Sequence, residues 1–306
     1  MQPPFRGIAF KLISVTIFVT MSALIKVAAT EVPPGEAAFF RSFFAIPVIL
    51  VWLAATGHLH DGLTTRQPLS HLWRGLVGTM AMVLGFAGLG LLPLPEVTAI
   101  GYASPLLVVI LAAMFLGEKV GLFRLSAVAL GLVGVLIVLS PRLSTLGEAV
   151  DVRQTLGAVL VLGGAFFGAL AAVFVRKMVQ VESTAAIVFY FSVTAATLSL
   201  ISLPWGWVWP SPWIVVALVM AGLLGGVGQI FMTLSYRHAD ASVIAPFEYA
   251  SMLLSLLIGY FAFGEVPTLV MIGGASLVIL AGVIIILRER HLGLERQRQR
   301  EAGTDS

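Results

Sequence analysis

The chain has 306 residues, 59% of them hydrophobic and only 11% charged, with a mean hydropathy of +1.02. A soluble domain is roughly 45–50% apolar and about 25% charged, so the composition excludes a soluble fold and indicates a polytopic membrane protein. The net charge of +3 is mild, and a chain without cysteine has neither a disulfide framework nor a Cys-based metal site.

Ten apolar segments of about 20 residues are long enough to span a bilayer. In chain order they are roughly 7–27, 35–55, 72–92, 96–116, 122–140, 155–175, 184–203, 213–235, 241–263 and 268–287. Short turns with breakers separate them: Pro33-Pro34-Gly35, Pro93 and Pro95, Pro141, Pro204, Pro210 and Pro212, and Pro267. The first segment is too long for a signal peptide and contains Lys11 and Lys26. Only 56–71 and 141–154 leave room for more than a turn. The five histidines (His58, His60, His71, His238 and His291) lack the HExxH spacing of a zinc site, and no cofactor is expected.

The chain is internally duplicated. Residues 102–118 (YASPLLVVILAAMFLGE) and 249–265 (YASMLLSLLIGYFAFGE) align without a gap at an offset of 147, identical at seven of seventeen positions. At an offset of 150, Gly7 matches Gly157, Lys26 matches Arg176, and Phe39-Phe40 matches Phe189-Tyr190. Five spans per unit is an odd number, so the second unit enters the membrane from the opposite face: the repeats are inverted. The expected organisation is a first repeat over 1–140, a connecting loop at 141–154, a second repeat over 155–287, and a basic tail at 288–306. With the N-terminus inside, fourteen of the eighteen Lys and Arg fall on the inner side, which places both termini in the cytoplasm. The tail reads as a solvated inner anchor rather than a nucleic-acid patch.

These features resemble the drug/metabolite transporter superfamily, in particular proteins with two EamA domains: ten spans, and a Gly-Glu ending before a Gly-rich helix (GLVGVLIVL at 131–139, GASLVILAGVIII at 274–286). KLISVTIFVTMSALIK (11–26), VPPGEAAFFRSFFAIPVILVWLA (32–54) and GLGLLPLPEVTAIGYASPLLVVILAAMFLGEK (88–119) are similar to bacterial riboflavin transporters of that superfamily. The resemblance implies an all-α polytopic fold of ten transmembrane helices in two inverted five-helix repeats. It also implies a central cavity lined by the fourth and ninth helices, and an inner-membrane location. Its relatives include S-adenosylmethionine and amino-acid carriers.

Glu248, in IAPFEYASM, reads as an ionisable group about eight residues into the ninth helix, either a substrate acceptor or a proton-coupling carboxylate. The alternative is a structural pair with Lys11 or Arg237. Arg41 lies about seven residues past Pro34 and is expected to snorkel outward or pair with Glu36 or Glu96, with gating as the alternative. Tyr102 and Tyr249 are related by the duplication and suit a flat heteroaromatic ligand. Ser104 and Gln229 join Tyr102, Glu248 and Tyr249 in the expected substrate-binding set, with Glu248 and Arg41 as coupling or gating residues. The glycines of spans three and eight read as packing surfaces. Glu118 and Glu265 are expected to serve the N-terminal dipole of the next helix, and Trp205, Trp207, Trp209 and Trp213 an interfacial belt.

The chain carries no Walker A sequence, and its charges do not cluster as an enzyme's would. The function expected is therefore secondary transport by alternating access, favouring riboflavin uptake. An exporter or exchanger of amino acids, S-adenosylmethionine or toxic metabolites is the alternative. The expected partners are a small-molecule substrate and the lipid bilayer, with no nucleic acid, and the chain is expected as a monomer or homodimer.

Overall fold

The computed structural model describes residues 5–58, 62–116, 122–143, 149–239, 244–284 and 287, and its described residues form helices and their connections, with no strand. The helices are α1 (Phe5–Ala28), α2 (Pro34–Phe43), α3 (Ala45–Ala55), α4 (Pro68–Leu89), α5 (Leu94–Gly101) and α6 (Ala103–Leu116), followed by α7 (Leu122–Leu143), α8 (Ala149–Met178), α9 (Thr184–Ser199), α10 (Pro212–His238), α11 (Ala250–Phe263) and α12 (Leu269–Ile284). Seven helical stretches are long and apolar enough to cross a membrane. The three shorter apolar ones, Leu125–Ser140, Phe247–Phe263 and Leu269–Ile284, complete the ten expected segments. Glu118, His60, His291 and the tail 288–306 lie outside the described residues.

Three spans are broken, the second of the ten at Phe44 between α2 and α3, just ahead of Pro47. Pro105 has no N–H to offer the Gly101 carbonyl, and the fourth span breaks at Tyr102 between α5 and α6. In the ninth span a 3₁₀ turn, Ala245–Tyr249, precedes α11. The repeat-related tyrosines therefore both stand at helix junctions. Gly264 ends α11 in the left-handed region at φ 66°, and the Glu265 N–H closes back on the Gly259 carbonyl at 2.9 Å, the Schellman arrangement that favours glycine.

The helices are paired as an inverted duplication requires. α1 packs along α10 and α4 along α8; since α1 corresponds to α8 and α4 to α10, these are one interface made twice. α2 packs on α9, and α5 on α11, each against its own counterpart, which locates the pseudo-two-fold axis between them. α7 and α12 cross at glycines. A Cβ on Gly134 would lie 2.8 Å from the Gly274 carbonyl oxygen, and one on Gly274 would lie 2.7 Å from that of Gly134. The outer surface is apolar (Val51, Leu122 and Leu269 are exposed) while Ser14, Glu36, Arg41, Arg74 and Gln229 are buried. That arrangement suits a lipid surround.

Candidate functional site

Where the two repeats meet lies a chamber of about 280 Å³ lined by α1, α2 and α4 of the first repeat and α8, α9 and α10 of the second. Most of its wall is apolar or small: Met21, Ala81, Met82, Phe86, Gly168, Ala171, Met232. Into it project Arg41, Arg74, Phe191 and Gln229. The two guanidinium carbons stand 5.3 Å (Arg41) and 3.9 Å (Arg74) from the centre of the Phe191 ring. Arg41 Nη2 makes long contacts to the Gly225 carbonyl (3.4 Å) and to Gln229 Oε1 (3.5 Å). The Nε and Nη1 of both arginines, and Gln229 Nε2, are buried without a hydrogen-bond partner.

Among the described residues no carboxylate lies in ion-pair range of either arginine. Arginine at mid-span costs at least ~2.5–3.5 kcal/mol on insertion scales, and a cation–π contact returns about 0.5–2 kcal/mol. Phe191 therefore does not by itself offset two such charges. The expected pairing of Arg41 with Glu36 is not made: the Glu36 carboxylate instead accepts the Val208 N–H at 3.1 Å. The reason is direction. Arg41 leaves α2 on the side facing α10, where Gly225 has no side chain to bar the guanidinium; a Cβ there would sit 2.8 Å from Arg41 Nε.

Arg74, which the sequence enters only among the inner-side charges, lines this chamber. The apolar pattern of the third span starts at residue 72, which leaves Arg74 at its edge. The helix begins at Pro68, with proline in its first turn where a missing N–H costs nothing, so Arg74 lies nearly two turns inside. A Pro-initiated start read from Gln67-Pro68 is the signal that locates it.

Tyr102 and Tyr249 do meet, with ring centroids 5.1 Å apart and edge to face. They do not line the chamber. The Ser251 hydroxyl donates to the Glu248 carbonyl at 2.6 Å, so it accepts from the Tyr102 hydroxyl at 2.8 Å. Ser104 faces α8: its Oγ would be 3.5 Å from a Cβ at Gly168, a chamber residue. Glu248 is not deep within a helix. It sits in the 3₁₀ turn before α11, its side chain is 41% exposed, and its carboxylate pairs with buried Lys11 at 2.5 Å. Arg237, its other expected partner, instead donates to the Glu182 carbonyl at 2.6 Å.

Both ends of the chamber are tied across the repeats. At the end that carries the N-terminus, the Glu182 carboxylate accepts from Thr65 Oγ1 (3.0 Å), Arg66 N–H (2.8 Å) and Gln67 N–H (2.9 Å), with His71 Nε2 at 3.5 Å. Burial pushes the Glu182 carboxyl up, but these donors outweigh it and hold the group below the usual carboxylate range. At the other end Glu265 pairs with Lys26 at 3.0 Å and accepts the Leu94 N–H at 2.8 Å, while Glu31 accepts from the Ser211 N–H and hydroxyl, both at 2.8 Å. Glu265 thus serves a helix N-terminus, as expected, but that of α5 in the other repeat rather than that of the helix following it. Trp205, Trp209 and Trp213 are exposed, whereas Trp207 folds back, its Nε1–H donating to Ser202 Oγ at 2.9 Å.

The profile of the EamA-like transporter family matches residues 5–140 and again 155–288. The chain belongs to that family. It is 30% identical to a riboflavin transporter of Rhizobium johnstonii, over 92% of this chain and 89% of that one. It is 28% identical to an S-adenosylmethionine uptake transporter of Rickettsia prowazekii, over 93% and 94%. It is also 28% identical to a pseudopaline exporter of Pseudomonas aeruginosa, over 91% and 95%. A solved crystal structure with 23% identity superposes with a TM-score of 0.66 over 93% of this chain and 98% of that one, which shows the shared fold. As an EamA-like protein with a chamber lined by two repeats, the chain is a multi-pass membrane transporter for a metabolite.

Proposed function

We propose that this EamA-like protein is a secondary carrier of the bacterial inner membrane, with both termini cytoplasmic, that opens its chamber alternately to the two sides as its halves rock. The observation that carries this reading is the chamber itself: lined by both repeats, flanked by cross-repeat ties, and holding buried polar groups without partners. In this reading Arg41 and Gln229, with Arg74 and Phe191, contact the substrate. Tyr102, Ser104 and Tyr249 hold the seam, and Glu248 with Lys11 is the pair that couples transport to protons.

Riboflavin uptake is the cargo and direction that the sequence resemblance implies, and the name of the Rhizobium relative supports the cargo. The second reading is an exporter or exchanger of amino acids, S-adenosylmethionine or toxic metabolites. One observation favours it: a neutral flavin ring has no need of two buried guanidinium groups.

The test is uptake of labelled riboflavin by a riboflavin auxotroph expressing the protein, with labelled amino acids and S-adenosylmethionine as controls. Saturable riboflavin uptake selects the first reading. Movement of a control compound instead selects the second reading, and no movement of any compound in cells or proteoliposomes sinks the carrier. For coupling, Glu248→Gln is expected to keep downhill uptake and lose accumulation against a gradient; accumulation unchanged in that variant removes the coupling role.

A further inference from the structure

The cationic pair in the chamber is one-sided with respect to the duplication. At the offset of 150, Arg41 corresponds to Phe191, and at 147, Arg74 corresponds to Ala221. Both arginines therefore belong to the first repeat, and the scaffold is built without them in the second. The glycines that admit them are present in both: Gly78 and Gly225 correspond at the same offset of 147. A Cβ at Gly225 would crowd Arg41 Nε, and one at Gly78 would run into Arg74 Nη1 and lie 2.8 Å from the Phe191 ring. The fold thus supplies two equivalent slots, and the first repeat puts a guanidinium in each.

The two groups share one aromatic ring, so their guanidinium carbons lie no more than about 9 Å apart, given 5.3 and 3.9 Å to the same centroid. Each side chain is at most 4% exposed, each leaves Nε and Nη1 without a partner, and Gln229 Nε2 beside them is equally unmet. Unpartnered buried N–H donors of one sign, converging on an otherwise apolar chamber, define the chemistry of what fills it. A carboxylate has about four acceptor positions, and its planar fork matches a guanidinium edge. The chamber, at about 280 Å³, falls just under the ~300–1,000 Å³ range of small-molecule sites.

We propose that the substrate is a small carboxylate-bearing metabolite whose anionic end is gripped between Arg41 and Arg74, with Gln229 reading an adjacent polar atom and the Met- and Phe-lined wall taking the apolar remainder. This rests on the carrier reading of the same chamber and deepens the second cargo reading, not the riboflavin one.

The experiment uses the full chain in detergent and in proteoliposomes. Thermal midpoints are measured with metabolite-sized carboxylates from lactate to N-acetylphenylalanine, each beside its neutral amide, and with phosphate monoesters. At least one carboxylate is expected to raise the midpoint where its amide does not. Arg41→Met and Arg74→Met are expected to weaken that response roughly ten- to a hundredfold, the range for hydrogen bonds to charged groups. They are also expected to raise the ligand-free midpoint, since each removes an unpaired buried charge; a merely structural stack with Phe191 predicts a lower midpoint. Arg74→Lys retains a weakened response.

Equal stabilisation by amides, a response to phosphate esters alone, no response to any carboxylate, or an intact response in both Met variants overturns the proposal. Proteoliposome flux separates the two readings. Neutral-compound flux unaffected by Arg74→Met leaves the carrier standing without the anion site. Carboxylate binding with no flux of that compound leaves the anion site standing without the carrier.

Discussion

Two places along the pseudo-two-fold axis bring repeat-related residues face to face, and they differ. At one, tyrosine meets tyrosine. Tyr102 and Tyr249 lie edge to face at 5.1 Å, and the Tyr102 hydroxyl, Ser251 and the Glu248 carbonyl form a chain in which each donor has an acceptor. At the other, arginine meets phenylalanine: Arg41 stands over Phe191, joined by Arg74, and the guanidinium N–H groups are left over. Where the duplication kept the same residue, the Tyr102 hydroxyl finds its acceptor within the protein and the site is a joint. Where the two halves diverged, guanidinium donors are left over, and under the anion-site proposal it is this divergence, rather than identity, that marks the binding chemistry.

The contrast breaks most readily at the glycine slots. Gly78→Val forces a branched side chain onto Arg74 and Phe191. At ~1–3 kcal/mol for overpacking, substrate flux is expected to fall roughly ten- to a hundredfold while the protein still inserts, as read by proteoliposome flux against membrane yield. Flux at the wild-type level would mean that the arginine slot is idle.

A smaller effect is expected at the N-terminal end. Glu182→Ala removes the acceptor of the Thr65 hydroxyl and of the Arg66 N–H, at about 0.5–1.5 kcal/mol per hydrogen bond, and is expected to lower the thermal midpoint by a few degrees. The Glu182 carboxyl is held below its ordinary range, so its contribution is fully present above the unfolded carboxyl's pKa. It is lost as pH falls through the lower, folded value. Wild-type stability should therefore be indifferent to this group at neutral pH and decline only in acid, a decline that Glu182→Gln should blunt.

The smallest effect belongs to the joint. Tyr102→Phe removes one hydrogen bond, about 1 kcal/mol, and should lower the midpoint slightly with flux within about twofold. A large loss of flux at unchanged stability would move the tyrosines into the substrate path and erase the distinction between the two places.

The duplication and the ten apolar segments were legible because apolar length acts locally. The meeting of Tyr102 with Tyr249 followed from inversion alone. Arg74 was hidden by a start misplaced by four residues, since a polar first turn (Pro68-Leu69-Ser70-His71) looks like loop. Glu248 looked deep because the 3₁₀ turn at Ala245–Tyr249 carries the same apolar letters as a helix. The Arg41–Phe191 contact escaped notice because its two members share neither charge nor shape, although their positions correspond.

Lys11 and Lys26 stand near opposite ends of α1, and each is bound to a carboxylate flanking α11: Glu248 before it and Glu265 after it. A rod pinned at both tips to a second rod can neither slide along it nor swing away from it without breaking a rivet. Any rocking of one half against the other therefore has to release the Lys11–Glu248 or the Lys26–Glu265 pair before α1 and α11 can part.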